Sequence, residues 1–169
     1  MTDVTLRAVA ADDLPALAGT DAAWGDQFEF FGFPASNAYQ RWYAESGCLS
    51  EKSGLLVVEA DGSLVGRVTW HIVEYGPGSN SNALRVGIAL LPDARGRGIG
   101  AEAQRKLAEY LFATTTAHRI EAGTDIENLA EQRSLERAGF TRDGLMREAQ
   151  FRDGERHDIV GFSRLRTDP

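Results

Sequence analysis

Pro92-Asp93-Ala94-Arg95-Gly96-Arg97-Gly98-Ile99-Gly100 lies between a run of strand pattern, residues 83–91, and a run of helix pattern, residues 101–112. The first N–H groups of a helix have no partner inside it, and they bind phosphate oxygens when the chain before them approaches closely enough. Three glycines permit that approach. Gly96 and Gly98 also tolerate positive φ, which turns successive N–H groups into one concavity for an anion. Arg95 and Arg97 add local positive charge to a chain of formal net charge −7. The stretch therefore predicts an anion cradle that opens a helix.

Two other phosphate patterns compete for these glycines. A P-loop is excluded, because no Gly-Lys-Ser/Thr follows. Gly96-x-Gly98-x-x-Ala101 matches the dinucleotide fingerprint, with Glu121 near the distance of its ribose-binding acid. In that fold, however, the first glycine follows its strand almost directly, whereas residues 92–95 intervene here, and no second set of alternating strands and helices follows.

Working outward, residues 5–9 read as a first strand, and Asp12-Asp13-Leu14-Pro15 as a helix start that runs to about Gly19. Residues 24–48 crowd eight aromatics around Gly32 and Pro34; they predict two short helical pieces, serving as core packing or as the wall of a substrate pocket. Residues 55–59 and 64–73 are strands joined across Asp61-Gly62, a hairpin signal. Residues 75–82 form a loop by composition. After the cradle helix come a short strand at 119–124, a helix at 129–138 ended by Gly139, and a final hairpin over 146–165 turning near Asp153-Gly154. The order predicts one α/β domain, a mixed sheet with helices over it.

Composition narrows the function. The acidic balance argues against general affinity for nucleic acid or an anionic membrane. A lone Cys48, no apolar run of bilayer length and no signal peptide at the start suggest a cytoplasmic protein. Cys48, among aromatics, reads as buried and inert rather than as an acyl carrier. His71, His118 and His157 share no metal-ligand spacing, so no metal is expected. His157-Asp158, at the start of the last strand, reads as a pair that stabilises the hairpin.

Arg95-x-x-Gly98-x-Gly100 resembles the coenzyme A signature of the GNAT N-acetyltransferases. Asn128 to Gly139-Phe140 is similar to that family's next block. The tail Gly144-Leu145-Met146-Arg147 with Gly154-Glu155-Arg156-His157-Asp158 resembles the RimJ/RimL branch, which acetylates protein N-termini and some small amines. The resemblance covers nearly all of the chain from Leu55. It implies a GNAT-like single domain with a mostly antiparallel sheet and acetyl-CoA as acyl donor. It also implies that backbone groups of Ile88, Ala89 and Leu90 meet the pantetheine arm. Arg95, Gly96, Arg97, Gly98, Ile99 and Gly100 then meet the diphosphate, and Asn128 lies near the thioester end. Two positions depart from the branch: Glu131 stands where a serine is common, and Gln150 where a glutamate of the last hairpin is expected.

Acetyl transfer to an amine needs proximity, a route for the amine's proton and donors toward the acyl oxygen. Glu131, in the first turn of its helix, is a candidate base, and as well placed to favour the helix dipole. Glu74, at a strand end, is a second candidate. The expected acceptor is a small-molecule amine, an aminoacyl compound or a peptide N-terminus, with the protein a monomer or homodimer. A non-catalytic sensor of acyl-CoA is the alternative. The pocket is expected to be lined by the 24–43 stretch and the 75–82 loop.

Overall fold

The computed structural model describes residues 2–18, 28 and 38–169. Gly19, Trp24 and the aromatics of residues 30–33 lie outside them, so the predicted helix end and the first of the two aromatic helical pieces do too. The strands are β1 (Val4–Ala8), β2 (Ser53–Ala60), β3 (Ser63–Glu74), β4 (Asn82–Leu90), β5 (Arg119–Asp125), β6 (Thr141–Arg152) and β7 (Glu155–Leu165). The helices are α1 (Leu14–Leu17), α2 (Ala38–Ser46), α3 (Ile99–Thr114) and α4 (Leu129–Arg137).

All the strands join one seven-stranded sheet in the order β1-β2-β3-β4-β5-β7-β6. Every pairing is antiparallel except that of β4 with β5, which α3 connects as a crossover. The β2–β3 hairpin turns where Asp61-Gly62 predicts it, with both residues at positive φ (51° and 80°), as a two-residue turn matched to strand twist requires. The last hairpin turns the same way at Asp153-Gly154. Its first strand starts at Thr141, earlier than the expected Met146. β6 is an edge strand exposed over most of its length, so no alternation of apolar residues marks its beginning.

Helix α3 buries Ile99, Ala103, Leu107 and Leu111, one residue per turn, against Val58, Val68, Trp70, Leu84 and Val86 of the sheet. The opposite face packs Leu55, Val57 and Ala89 on Leu17 and Cys48, with Tyr39, Trp42 and Tyr43 of α2 over them. These three partly buried aromatics therefore pack against the core. Among the described residues, no helix is long and apolar enough to cross a membrane, and no group of His, Cys, Asp and Glu is placed to hold a metal ion.

Candidate active site

Strands β4 and β5 pair only at Leu84 with Ile120 and Arg85 with Glu121, then part. Which backbone groups face the gap follows from the other edge of β4. The Leu91 N–H donates to the Val65 carbonyl at 2.8 Å, which makes Leu90 and Gly66 a non-hydrogen-bonded pair of the β3–β4 ladder. By alternation, Ile88 and Leu90 turn their N–H and C=O groups away from β3 into the gap, while Ala89 spends its own on Arg67. The side chain of Ala89 is in the core beneath α2. Ile88 and Leu90 thus turn backbone groups into the gap, and Ala89 does not, because successive residues of a strand face opposite ways.

At the end of β4 the glycine loop bends into α3. Gly96 and Gly98 have φ of 71° and 81°, and a Cβ built on either would meet nothing within 4 Å. Gly98 caps α3 without a side-chain hydrogen bond, and the first N–H bonded back along the chain is that of Glu102, to the Gly98 carbonyl. The N–H groups of Ile99, Gly100 and Ala101 therefore precede the helical ladder. Ile99's own side chain is core. Gly100 has a second duty: its Cβ would stand 3.1 Å from Ser134 Oγ, so α3 and α4 approach closely there.

A cleft of about 550 Å³ opens over this loop, lined by Ile88, Leu90, Arg95, Gly96, Gly98 and Gly100 with residues of α4. Arg95 folds back, donating Nε and Nη2 to the Leu90 carbonyl at 3.0 and 2.9 Å, so it braces the loop as well as bordering the cleft. Arg97 faces a separate depression beside Val65 and Pro92. Arg97 does not line the cleft over the glycine loop. The exposed Arg133 and Arg137 border the cleft instead. They were missed in the sequence, although Ala130, Arg133, Ser134 and Arg137 follow the i, i+3, i+4, i+7 spacing of one helical face.

A second cavity, of about 840 Å³, continues from the cleft between β4 and β5 toward β6 and β7. Phe28, Ile88, Asn128 and Glu131 border both spaces. Asn128 caps α4, its Oδ1 accepting the Glu131 backbone N–H at 3.2 Å, which fixes the Asn128 side chain at the junction. Glu74 borders neither space. The two-residue period of β3 sends it to the face of Trp70 and Ile72, away from Thr69 and His71, which do line the larger cavity. Gln150 lines the cavity and its Oε1 accepts from Arg152, while Tyr75 is the one residue of the 75–82 loop on the wall.

Four carboxylates border the larger cavity: Glu121, Asp125, Glu131 and Asp143. Glu121, Asp125 and Asp143 each pair with an arginine. Glu121 accepts from Tyr75 Oη at 2.7 Å and from Arg85 Nε at 2.8 Å, with Arg119 Nε at 3.3 Å. Burial would raise its pKa, but these donors hold it below the ordinary carboxylate range, and the hydrogen bond to the Glu121 carboxylate in turn pushes the Tyr75 phenol up. Glu121 is thus locked at the far end from the glycines, not poised for a ribose. Asp143 takes Arg119 and the Ser163 hydroxyl.

Asp125, with its side chain 1% exposed, pairs with Arg152, 4% exposed, at 2.7 Å and accepts the Glu127 N–H at 2.8 Å. Burial again works to raise its pKa, and Arg152 and that N–H outweigh it. His157 Nδ1 lies 3.3 Å from the same carboxylate, while Asp158 instead accepts the Glu148 N–H, so the two neighbours stabilise the hairpin through separate partners. Arg152 also reaches the Phe28 carbonyl and stacks over its ring. Cys48 is fully buried, which raises its thiol pKa and leaves it no part in the cleft.

A model of the acetyltransferase (GNAT) domain matches residues 3–141. The putative ribosomal N-acetyltransferase YdaF of Bacillus subtilis (strain 168) is 28% identical over 128 residues, 76% of this chain and 65% of that protein, so the match spans just under two thirds of the relative's length. Among solved structures, spermidine N-acetyltransferase from Vibrio cholerae in complex with CoA and spermine superposes with a TM-score of 0.78 at 20% identity, covering 98% of this chain and 96% of that one. RimL, a ribosomal L7/L12 alpha-N-protein acetyltransferase in complex with coenzyme A, gives 0.76 at 19% identity, covering 98% and 95%. At such identities the structures show a shared fold. That fold, the parted strands above a glycine loop and the match of the domain model across both agree: the chain belongs to the GNAT acetyltransferase family.

Proposed function

We propose that this protein is an acetyl-CoA-dependent N-acetyltransferase that delivers the acetyl group to a primary amine entering the larger cavity. The observation that carries the reading is the junction at which the two spaces meet, bordered by Asn128 and Glu131. The cofactor fits the smaller cleft because Gly96 and Gly98 leave open space where any other residue would place a Cβ, and because the N–H groups at the start of α3 precede the ladder. Ile99, Gly100 and Ala101 would hold the diphosphate with Arg133 and Arg137 nearby, and Ile88 and Leu90 the arm. When bound, acetyl-CoA supplies the acetyl group as a reactive thioester.

The remaining work falls to the junction. Glu131 takes the amine's proton at its carboxylate, directly or through water. Asn128 Oδ1 is spent on the α4 cap, which leaves its Nδ2 as a donor toward the acyl oxygen. With no cysteine in the cleft, the amine attacks without a covalent enzyme intermediate. The acceptor classes are a small amine, an aminoacyl compound or a peptide N-terminus in the cytoplasm. YdaF and RimL make ribosomal N-termini the first peptides to try, and the Vibrio enzyme makes spermidine the first small amine.

A thiol-release assay with acetyl-CoA and a panel of these amines tests the proposal. Release of coenzyme A that depends on one acceptor class supports it. Binding of acetyl-CoA with no release across the panel leaves the sensor reading in its place.

A further inference from the structure

Gln104, on the second turn of α3, is 2% exposed, a rare setting for a side chain with two donors and an acceptor. Its Nε2 donates to the Gly100 carbonyl at 3.2 Å and to Ser134 Oγ at 2.8 Å. A flip of the amide is ruled out, since the Gly100 carbonyl only accepts and must face the NH₂ group. Oε1 then has no donor among the described residues, although Gln104 borders the larger cavity. A buried carbonyl without a donor is costly, so such an atom points to a partner that arrives from the cavity.

Its position selects the partner. Helix α3 runs back antiparallel to β4, and a Cβ at Gly100 would stand 3.6 Å from Leu90 and 3.9 Å from Ile88, the two residues whose backbone faces the gap. Gln104 lies one turn, about 6 Å, further along the helix from the phosphate-facing start. That places it beneath the arm rather than beneath the diphosphate, and the arm carries two amide N–H donors.

We infer that Gln104 is a cofactor-binding residue whose Oε1 accepts a hydrogen bond from an amide N–H of the pantetheine arm, opposite the backbone of β4. The inference rests on the proposed acetyl-CoA site. Ser134 and the Gly100 carbonyl orient the amide for this contact, which joins the α3–α4 seam to the ligand.

Calorimetry with coenzyme A and with adenosine 3′-phosphate 5′-diphosphate, which ends before the arm, tests it. Gln104→Met keeps the length and removes the acceptor; Gln104→Leu serves if that variant does not fold. Affinity for coenzyme A should fall roughly five- to tenfold, with affinity for the truncated nucleotide unchanged. Equal losses for both ligands, or no loss for either, overturn the assignment. On the ligand side, a coenzyme A analogue with an ester oxygen in place of one arm N–H should bind the wild type roughly five- to tenfold more weakly, and Gln104→Met should abolish that difference. A difference of the same size in both proteins gives the contact to β4 alone and overturns the assignment. A wild type that binds neither coenzyme A nor the nucleotide overturns the acetyl-CoA reading itself, a result distinct from loss of the Gln104 contact.

Discussion

The two halves of the cleft are built by opposite means. The half proposed for the cofactor is largely backbone, the gap-facing edge of β4 and the start of α3, and its parts lie within residues 88–101 apart from Phe28, Asn128 and one face of α4. The half proposed for the acceptor is made mostly of side chains from β3, β4, β5, β6 and β7, braced by ion pairs that join residues far apart in sequence, such as Asp125 with Arg152. A backbone site tolerates changes of side chain so long as its glycines remain. A side-chain site depends on each pairing, and a single lost partner strands a buried charge.

The junction is where the comparison is tested hardest. Glu131→Gln preserves shape and the α4 cap, whose acceptor is Asn128 and whose donor is a backbone N–H. Turnover should fall by about two to four orders of magnitude with acetyl-CoA affinity little changed. A less stable protein with near-normal turnover would make Glu131 a first-turn acid only.

On the acceptor side, Arg152→Met should cost about 3–5 kcal/mol in denaturant unfolding, since it leaves Asp125 buried without its cation. The pH dependence gives an independent sign. In the wild type the Asp125 pKa is lowered, so its contribution is present above the ordinary carboxylate value, about 4, and fades as pH falls through the lower folded value. In the variant, burial dominates and raises that pKa, so this group should favour unfolding at neutral pH and the variant's deficit should shrink on acidification. A deficit that is constant with pH would mean that Asp125 is not charged in the fold.

A smaller effect on stability, and a larger one on binding, is expected at the cradle. Gly98→Val meets no protein atom at Cβ, so its cost to the fold is the strain of φ at 81°, about 1–2 kcal/mol. Affinity for acetyl-CoA should fall at least about tenfold, the worth of a displaced charge-assisted hydrogen bond. Unchanged affinity in a folded variant removes the cradle from the site.

The same contrast explains what was legible in the sequence. Gly96, Gly98 and the strand and helix around them lie in one stretch, and backbone geometry there follows from residue type. Asp61-Gly62 and Asp153-Gly154 were legible for that reason too. Register is what local pattern does not carry. It decides that Ala89 turns away while Ile88 and Leu90 face the gap, and that Glu74 lies on the wrong side of β3. Gln104 and Ser134 gave no sign either, because a polar pair 30 residues apart reads as two solvated positions until α3 and α4 meet.

Thermal shift of the wild type with acetyl-CoA and, separately, with NADH tests the central assignment most directly, since the dinucleotide fingerprint is the rival reading of the same glycines. Ligand that binds only the folded state raises the melting temperature as its concentration exceeds Kd. The parted strands and the α3 cradle predict a rise with acetyl-CoA and none with NADH; a rise with NADH and none with acetyl-CoA would contradict it.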